Sequence, residues 1–381
     1  MKPAILLYGS SDRNKDMFYS TKYMTSSPFV FLIINDVKYM IVPRSEFADA
    51  RKNTNVHDVF SFDDFLSHKD YLALEQRNGS LPSRWGYAAE VVRLFLRDRG
   101  VKQVVVQPDF PFKIAGILKW YGLGIKVEDS SPFFRQRMVK SEQELAHIRR
   151  SVAFAEATLA SVVDIIRNAE VNNGVLHHDG IPLTSEFLRQ FVKLRLYEND
   201  FLIHHPIVSC GFDTSHPHRE GSGSIRADQP ILIDIFPKSL KSGYFADITR
   251  TVVRGRPSSD VKRMYDAVVD AQERVISMVR DGVKVSDLYK AANDVLRSHG
   301  FNTNDAKDFG FVHSLGHGIG LDVHESPSIS ENDGVLVEDN VITIEPGLYY
   351  PTIGGIRVED VVLVKKDGCE VLTSFPKKLE L

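Results

Sequence analysis

The chain has 381 residues, a length typical of two or three domains, and its 43% hydrophobic and 25% charged residues are typical of a globular protein. A net charge of −3 argues against nucleic acid or an anionic membrane as a partner, and no apolar run is long enough to span a bilayer. Two cysteines and no recognisable signal peptide favour a cytoplasmic location.

The first part of the chain alternates strand-like and helical segments. Two apolar runs, 29–35 and 37–42, flank Asp36 and predict a β-hairpin. Further elements are predicted as strands at 101–106 and 124–127 and a short helix at 114–121. This alternation predicts a smaller α/β domain over residues 1–135, in which we find no catalytic constellation.

The remaining sequence, 141–381, predicts a second and larger domain. Ser141 and Glu144 form the Ser-x-x-Glu pattern of a capping box at the start of a long helix. Further helices are predicted at 185–197, 259–280 and 286–298, with strand-like sequence at 203–253 and 311–364. Helices, strands, helices and strands in this order predict an α+β fold.

Two aspartates lie on either side of a turn-rich segment. Asp234 lies inside the apolar run 231–236, where an ionised carboxylate costs on the order of several kcal/mol unless a cation or hydrogen bonds compensate. Taken alone, Asp234 fits an exposed strand end, and Asp247 fits an ion pair with Arg250. A hairpin at 237–243 would instead bring the two carboxylates together.

Three histidines, His313, His317 and His324, fall within twelve positions among glycines that argue against a helix. A single histidine is more often structural, but a neutral imidazole binds borderline metals and donates to reacting oxygens. Glu345 lies inside an apolar strand, and Glu359 follows a glycine-rich turn, where an ion pair with Arg357 is the simpler alternative.

Four acids and one imidazole form a candidate metal-binding set: Asp234, Asp247, His317, Glu345 and Glu359. An oxygen-rich set with one nitrogen suits two divalent cations of the manganese, cobalt, zinc or iron type better than a closed zinc site. Two carboxylates could bridge such a pair, as in two-metal hydrolases.

The segment from Ser141 to the C-terminus resembles the pita-bread metallopeptidases, which include methionine aminopeptidase, aminopeptidase P and prolidase. The resemblance is carried by Asp-Ile-Thr-Arg-Thr at Asp247, His-Ser-Leu-Gly-His-Gly at His317, Ile-Glu-Pro-Gly-Leu-Tyr at Glu345 and Gly-Gly-Ile-Arg-Val-Glu-Asp at Glu359. The α/β domain before it is similar to that of aminopeptidase P, prolidase and creatinase. The resemblance therefore implies a C-terminal pita-bread fold with a smaller creatinase-like N-terminal domain.

The same resemblance implies an activity: hydrolysis of the bond between an N-terminal residue and proline in short proline-containing peptides. It implies two divalent metal ions, with manganese or cobalt preferred over zinc or iron, and a homodimer formed through the N-terminal domain. Its catalytic residues would be Glu345, His218 and His324. Its substrate-binding residues would be His218, His313, His324, Tyr349 and Arg357.

The sequence departs from the family pattern in two places. The segment between Asp234 and Asp247 is longer than usual, which changes the pocket wall without removing the ligands. The loop after His324 reads Glu-Ser-Pro-Ser, where prolidases place a basic residue that holds a dipeptide's carboxylate, so longer peptides are favoured. The alternatives are a catalytically silent binding protein and a creatinase-like amidinohydrolase, and the complete ligand set argues against both.

Overall fold

The computed structural model describes residues 3–77, 82–303 and 308–381, and the chain divides into two compact units, Met1–Arg135 and Gln136–Leu381. Each unit has its own β-sheets and its own hydrophobic clusters. None of the helices in these described ranges has the length and apolarity that crossing a bilayer requires.

The first unit is a six-stranded mixed sheet with helices. Its strands are β1 (Ala4–Gly9), β2 (Phe29–Ile34), β3 (Val37–Val42), β4 (Asp58–Ser61), β5 (Gln103–Val106) and β6 (Gly124–Val127). Its helices are α1 (Lys15–Thr21), α2 (Phe47–Asn53), α3 (His68–Arg77), α4 (Arg84–Asp98) and α5 (Phe112–Trp120). The strand order is β4-β3-β2-β1-β5-β6, in which β1 runs antiparallel to β2 and parallel to β5.

The predicted hairpin is the centre of this sheet. The turn between β2 and β3 consists of Asn35 and Asp36, both with positive φ, a conformation that these residue types tolerate. Successive β2 side chains point to opposite faces, so Phe31 packs into one buried cluster and Leu32 into another, which contains α4 and α5 residues. Both faces of the sheet are therefore covered.

The second unit contains the remaining elements. Its helices are α6 (Glu142–Asn168), α7 (Ser185–Tyr197), α8 (Ser259–Ile276) and α9 (Val285–Ser298). Its first strands are β7 (Glu170–Asn172), β8 (Val175–His178), β9 (Ile181–Pro182), β10 (Phe201–Leu202), β11 (Ile207–Cys210), β12 (Ile231–Ile235), β13 (Lys238–Ser239) and β14 (Ile248–Val252). The later ones are β15 (Gly316–Gly318), β16 (Glu325–Ile329), β17 (Val341–Ile344), β18 (Gly347–Tyr350), β19 (Gly354–Arg357), β20 (Asp360–Lys365) and β21 (Gly368–Val371).

Two sheets of this unit bear the candidate residues. The three-stranded sheet β11-β12-β14 packs against α6, whose predicted capping box is present: the Ser141 hydroxyl accepts from Glu144 N–H, and the Glu144 carboxylate accepts from Ser141 N–H. The five-stranded sheet β16-β15-β17-β20-β21 packs against α8 and α9. The alternation of helix-backed antiparallel sheets matches the α+β expectation for this part of the chain.

Helix α8 shows why these helices form. Its buried residues recur every three or four positions, as in Val261, Met264, Val268 and Val275, so one face enters the core beneath β17–β19. The Ser258 hydroxyl caps its N-terminus by accepting from Val261 N–H. Packing of this face holds the five-stranded sheet in place behind the candidate site.

Candidate metal centre

The β12–β14 pair brings the two aspartates together. Asp234 pairs with Thr249 across the two strands, and Asp247 lies one residue before β14 begins. Both aspartates are buried, with exposures of 8% and 5%. Burial rules out an exposed strand end for Asp234, and the expected partner of Asp247 is engaged elsewhere, because the Arg250 guanidinium pairs with Asp360 at 2.7 Å.

The longer segment between the aspartates closes on itself. Residues 238–239 form β13, which pairs with β10. Ala246 N–H then donates to the Pro237 carbonyl at 3.1 Å, which returns the chain to the base of the hairpin. The extra length therefore extends the hairpin without separating the carboxylates at its base.

The other three candidates come from the five-stranded sheet. His317 is in the middle of β15, Glu345 follows the last residue of β17, and Glu359 lies between β19 and β20. Glu359 N–H donates to the Thr249 carbonyl at 3.0 Å, which joins this ligand to the strand that follows Asp247. Thus the two sheets meet at the candidate ligands.

Measured distances show one cluster. Ligand atoms of Asp247, His317 and Glu359 all lie within 4.8 Å of one another. His317 Nε2 is 3.4 Å from Glu345 Oε1 and 3.8 Å from Asp247 Oδ2. Asp234 joins the cluster electrostatically, since its charge raises the pKa values of Asp247, Glu345 and Glu359.

Three carboxylate oxygens in this cluster fit bound cations. Asp234 Oδ1, Asp247 Oδ1 and Glu359 Oε1 are buried and accept no hydrogen bond from the described residues. A buried ionised oxygen without a partner is strongly destabilising, whereas a divalent cation satisfies several at once. The donor set, four carboxylates and one imidazole, therefore suits divalent metal binding.

The raised pKa values of the acids reflect the same cost of burying uncompensated negative charge. Burial, followed by the neighbouring Glu359 carboxylate, raises the pKa of Asp247, and burial followed by Glu345 raises that of Glu359. Burial raises the pKa of Glu345 to about 7, against the opposing charge of Arg357. Without cations, protons would have to compensate this charge.

The half-buried His313 and the buried His317 are neutral, and their hydrogen bonds identify the tautomer. Burial lowers the pKa of His317 to about 4 and that of His313 to about 3. His317 Nδ1 is 3.0 Å from the Gly318 carbonyl, so Nδ1 carries the proton and Nε2 is free to bind a metal beside Asp247 and Glu345. This geometry is that of a histidine ligand.

A buried hydrogen-bonded chain extends from Asp234 to His313. Arg357 Nη2 donates to Asp234 Oδ2 at 2.5 Å, and Nη1 donates to the Tyr349 hydroxyl at 2.7 Å. The Tyr349 hydroxyl is 3.0 Å from His313 Nε2, while His313 Nδ1 is 2.7 Å from the Ser314 carbonyl. Arg357 therefore pairs with Asp234 and not with Glu359, the partner that the local sequence suggested.

The remaining candidates, His218 and His324, are exposed beside the buried cluster. The His324 ring packs edge-on against His317, with ring centroids 4.4 Å apart, and desolvation lowers the pKa of His324. His218 follows Pro217, whose carbonyl accepts from Arg357 Nη1 at 3.2 Å. Both imidazoles can therefore meet a molecule that approaches the carboxylates.

Two polar residues that support the cluster were missed by the sequence analysis. The Thr249 hydroxyl donates to Glu359 Oε2 at 2.7 Å, and Gln272, fully buried on α8, donates to the Ile344 and Val358 carbonyls at 2.9 and 3.1 Å. Thr249 lies two positions after Asp247 on the same strand, and Gln272 interrupts the apolar face of α8. These two features of the sequence could have identified Thr249 and Gln272 as residues that support the cluster.

Buried carboxylates converging with a neutral imidazole on a two-sheet α+β scaffold define a metal-dependent hydrolase. The family model for metallopeptidase family M24 matches residues 146–366, more than half of the chain. The chain belongs to metallopeptidase family M24, and the predictions of a metallopeptidase and of its family are confirmed.

Related proteins extend this match along the chain. An Xaa-Pro dipeptidase of Pyrococcus horikoshii is 27% identical over 371 residues, which are 96% of this chain and 92% of that protein. The crystal structure of an X-Pro aminopeptidase from Thermotoga maritima has a TM-score of 0.79 at 24% identity, covering 100% of this chain and 97% of that one. A prolidase structure from Pyrococcus horikoshii has a TM-score of 0.77 at 26% identity, covering 99% and 95%. The predicted pita-bread fold is confirmed.

Proposed function

We propose that this protein is an Xaa-Pro peptidase that hydrolyses the bond between an N-terminal residue and proline with the help of two divalent metal ions. The observation that carries the proposal is the convergence of four carboxylates and His317. Three of the carboxylate oxygens lack a hydrogen-bond partner among the described residues. Family membership and relatives named Xaa-Pro dipeptidase and X-Pro aminopeptidase support the substrate class.

The metal ligands in this proposal are Asp234, Asp247, His317, Glu345 and Glu359. When bound, a pair of divalent cations supplies Lewis acidity and lowers the pKa of water at neutral pH. The family resemblance implies manganese or cobalt, with zinc or iron as alternatives, and an oxygen-rich set with a single nitrogen fits divalent metals of this kind.

Glu345 is the proposed proton carrier. Its side chain is 15% exposed, more than those of Asp234, Asp247 and His317, so it can meet a water molecule and a substrate. Burial raises its pKa to about 7 in the metal-free protein, and a carboxylate within reach of water can act as a general base. Glu345 would accept a proton from the attacking water and deliver it to the departing proline nitrogen, which has no N–H of its own.

Five side chains would hold the peptide, as the resemblance implies: His218, His313, His324, Tyr349 and Arg357. His218 and His324 are exposed beside the carboxylates, where a neutral imidazole can donate to the developing oxyanion. His313, Tyr349 and Arg357 form one hydrogen-bonded chain that fixes the wall next to Asp234. A rigid wall of this kind suits selection of a ring by shape.

The loop after His324 favours peptides longer than two residues. Its first residue, Glu325, directs its carboxylate inward, where it accepts Leu321 N–H at 2.9 Å. Neither Ser326 nor Ser328 carries a positive charge for the carboxylate of a dipeptide. We therefore expect a tripeptide Xaa-Pro-Yaa to be cleaved faster than the dipeptide Xaa-Pro.

An activity panel tests this proposal. Chelator-treated protein is reloaded with manganese, cobalt or zinc and assayed with Ala-Pro, Ala-Pro-Ala and Ala-Ala-Ala. We expect metal-dependent cleavage of the proline peptides, and loss of that cleavage in Asp247→Asn and His317→Ala, which remain folded. Full activity in the metal-free sample would exclude the mechanism, and cleavage of Ala-Pro alone would exclude the preference for longer peptides.

Two further expectations stay predictions. The two cysteines, Cys210 and Cys369, are free thiols, which suits a reducing cytoplasm. A homodimer through the first unit would follow the family resemblance, and sedimentation equilibrium of the purified chain would measure its mass.

A further inference from the structure

A largely buried group of charged side chains includes Glu325, the residue that follows His324 in sequence. It consists of Arg137, Lys140 and Glu325, whose side chains are at most 2% exposed, together with Asp322, which is 47% exposed. Lys140 Nζ is 3.2 Å from Glu325 Oε2, and Arg137 contacts Glu325 and lies 2.6 Å from Asp322. We call these four residues the buried ion cluster. Two cations balance two anions, and such a cluster adds little net stability over apolar packing, so stability alone does not account for it.

The Glu325 carboxylate closes the loop that bears His324. Its Oε1 accepts from Leu321 N–H at 2.9 Å and from Asp322 N–H at 3.1 Å, so the loop folds around this oxygen. Gly320 provides the necessary room, because a Cβ there would lie 2.8 Å from Glu325 Oε2. His324 is the residue immediately before Glu325, so the backbone orientation of His324 follows from this closure.

The cations that hold Glu325 are themselves fixed. Lys140 N–H donates to the Asp339 carbonyl at 2.9 Å, and Asn340 Nδ2 donates to the Met138 carbonyl at 2.9 Å. These contacts attach residues 138–140 to the turn that precedes β17, the strand that leads to Glu345. The buried ion cluster therefore connects the His324 loop to the strand of a proposed ligand.

Electrostatics keep Glu325 ionised in this setting. Burial opposes ionisation of its carboxyl group, but Lys140, Arg137 and the loop N–H groups together hold its pKa below the usual value. Burial lowers the pKa of Lys140, and the Glu325 charge opposes that change. Removing the Glu325 charge leaves Lys140 and Arg137 without this counter-charge, and removing the Lys140 charge leaves Glu325 with Arg137 alone, so either change disturbs the closure of the loop.

We propose that Arg137, Lys140 and Glu325 are positioning residues that hold the His324 imidazole against the metal centre. The inference rests on the proposed function, in which His324 contacts the scissile amide region. The His324 ring now meets His317 edge-on at a centroid distance of 4.4 Å, an arrangement that a shift of the loop by one ångström would disturb.

Glu325→Gln tests the proposal, because it keeps the shape and removes the charge. We expect kcat for an Xaa-Pro-Yaa peptide to fall by about 10- to 100-fold, with KM and metal affinity changed by less than about 2-fold. Lys140→Met should have the same effect and Lys140→Arg should largely restore activity. Arg149→Met, which breaks an exposed ion pair with Glu370 in the same unit, is the control and should leave kcat unchanged.

A second background separates positioning from general stability. In a His324→Ala protein, Glu325→Gln should lower kcat no further, because the group that it positions is absent. An equal loss in both backgrounds would overturn the proposal, as would wild-type kcat in Glu325→Gln. Failure of both Glu325→Gln and Lys140→Met to fold would also overturn it, since the cluster would then be structural.

Imidazole NMR keeps this inference distinct from the proposed function. In the zinc-loaded protein, the His324 ring signals, assigned with His324→Ala, should shift in Glu325→Gln and stay in place in Arg149→Met. Shifted signals in a protein that cleaves no Xaa-Pro peptide would leave the positioning intact and refute the function. Unshifted His324 signals in a protein that does cleave Xaa-Pro peptides would refute the positioning role and leave the proposed function intact.

Discussion

Three of the proposed ligands, Asp234, Glu359 and His317, are each held by a hydrogen-bond partner outside the set of ligands. One Asp234 oxygen accepts a hydrogen bond from Arg357, one Glu359 oxygen accepts from the Thr249 hydroxyl, and His317 Nδ1 donates to the Gly318 carbonyl. The other carboxylate oxygens of Asp234 and Glu359 lack partners among the residues that the structure describes. The side chains are thus oriented before any cation binds, which lowers the entropy lost on binding.

The same orientation makes the metal-free protein sensitive to pH. Burial raises the folded-state pKa of Glu345 from 4.5 to about 7 and raises those of Asp247 and Glu359. For a carboxyl group whose pKa is higher in the folded state, the stabilisation is complete below the unfolded pKa and is lost as pH rises through the folded pKa. Above the normal histidine pKa of 6.5, His313 and His317 are neutral in both states and contribute nothing to this change.

We therefore predict that metal-free protein loses stability as the pH rises from about 6.5 through the folded-state pKa of about 7 of Glu345, by at most about 1.4 kcal/mol per pH unit for each proton that only the folded state holds. Thermal unfolding in chelator at several pH values measures this loss. Saturating manganese should remove most of it, because cations replace the protons and bind more tightly as pH rises. Asp247→Asn should give a shallower curve in chelator, and a flat or rising wild-type curve in this range would contradict the prediction.

At the level of elements, two of the proposed ligands, Glu345 and Glu359, lie just after strands end. Glu345 follows β17 and Glu359 follows β19, so the position of each acid depends on how its strand is held. Helix α8 supplies that support through Gln272, whose amide donates to the carbonyls just before the two acids, those of Ile344 and Val358. One helix side chain thereby fixes the spacing of two strands.

Gln272→Leu should uncouple these strands. The substitution leaves two buried carbonyls without donors, so we expect the free energy of unfolding to fall by about 1–3 kcal/mol and metal affinity to fall by about 10-fold or more. Urea unfolding in chelator and calorimetric metal titration measure the two effects. Glu273→Leu, at the exposed next position of α8, is the matched control, and equal metal affinity in both variants would count against this role for Gln272.

At the level of the whole chain, the sequence predicted those elements whose structure is determined by interactions between residues close in sequence. The hairpin around Asp36, the capping box at Ser141 and the helix at 185–197 all depend on neighbours within a few positions, and the structure contains them. The ligand set was predictable because Asp234 lies inside an apolar strand and Glu345 directly follows one, and an acid in such surroundings requires compensation.

Pairings between distant residues could not be predicted in this way. Arg357 bonds to Asp234, 123 positions away, and Arg137 bonds to Glu325, 188 positions away. Local sequence offers Glu359 as a partner for Arg357 and Asp247 as a partner for Arg250, whereas in the fold Arg357 pairs with Asp234 and Arg250 pairs with Asp360. Such contacts depend on how sheets from separate parts of the chain meet, which strand periodicity does not encode.

All proposed ligands belong to the second unit, so metal binding should stabilise the two units unequally. A cation that binds only the folded state adds about 2.7 kcal/mol of stability at 100 times its Kd, which slows exchange through global unfolding about 100-fold. We therefore predict that manganese slows amide hydrogen exchange in β12, β14 and β17 and leaves β1 and β2 of the first unit unchanged. Mass spectrometry of peptides from metal-free and metal-loaded protein measures both, and Asp247→Asn should show little slowing anywhere. Equal slowing in the two units would show instead that they unfold together, and that metal binding stabilises the whole chain.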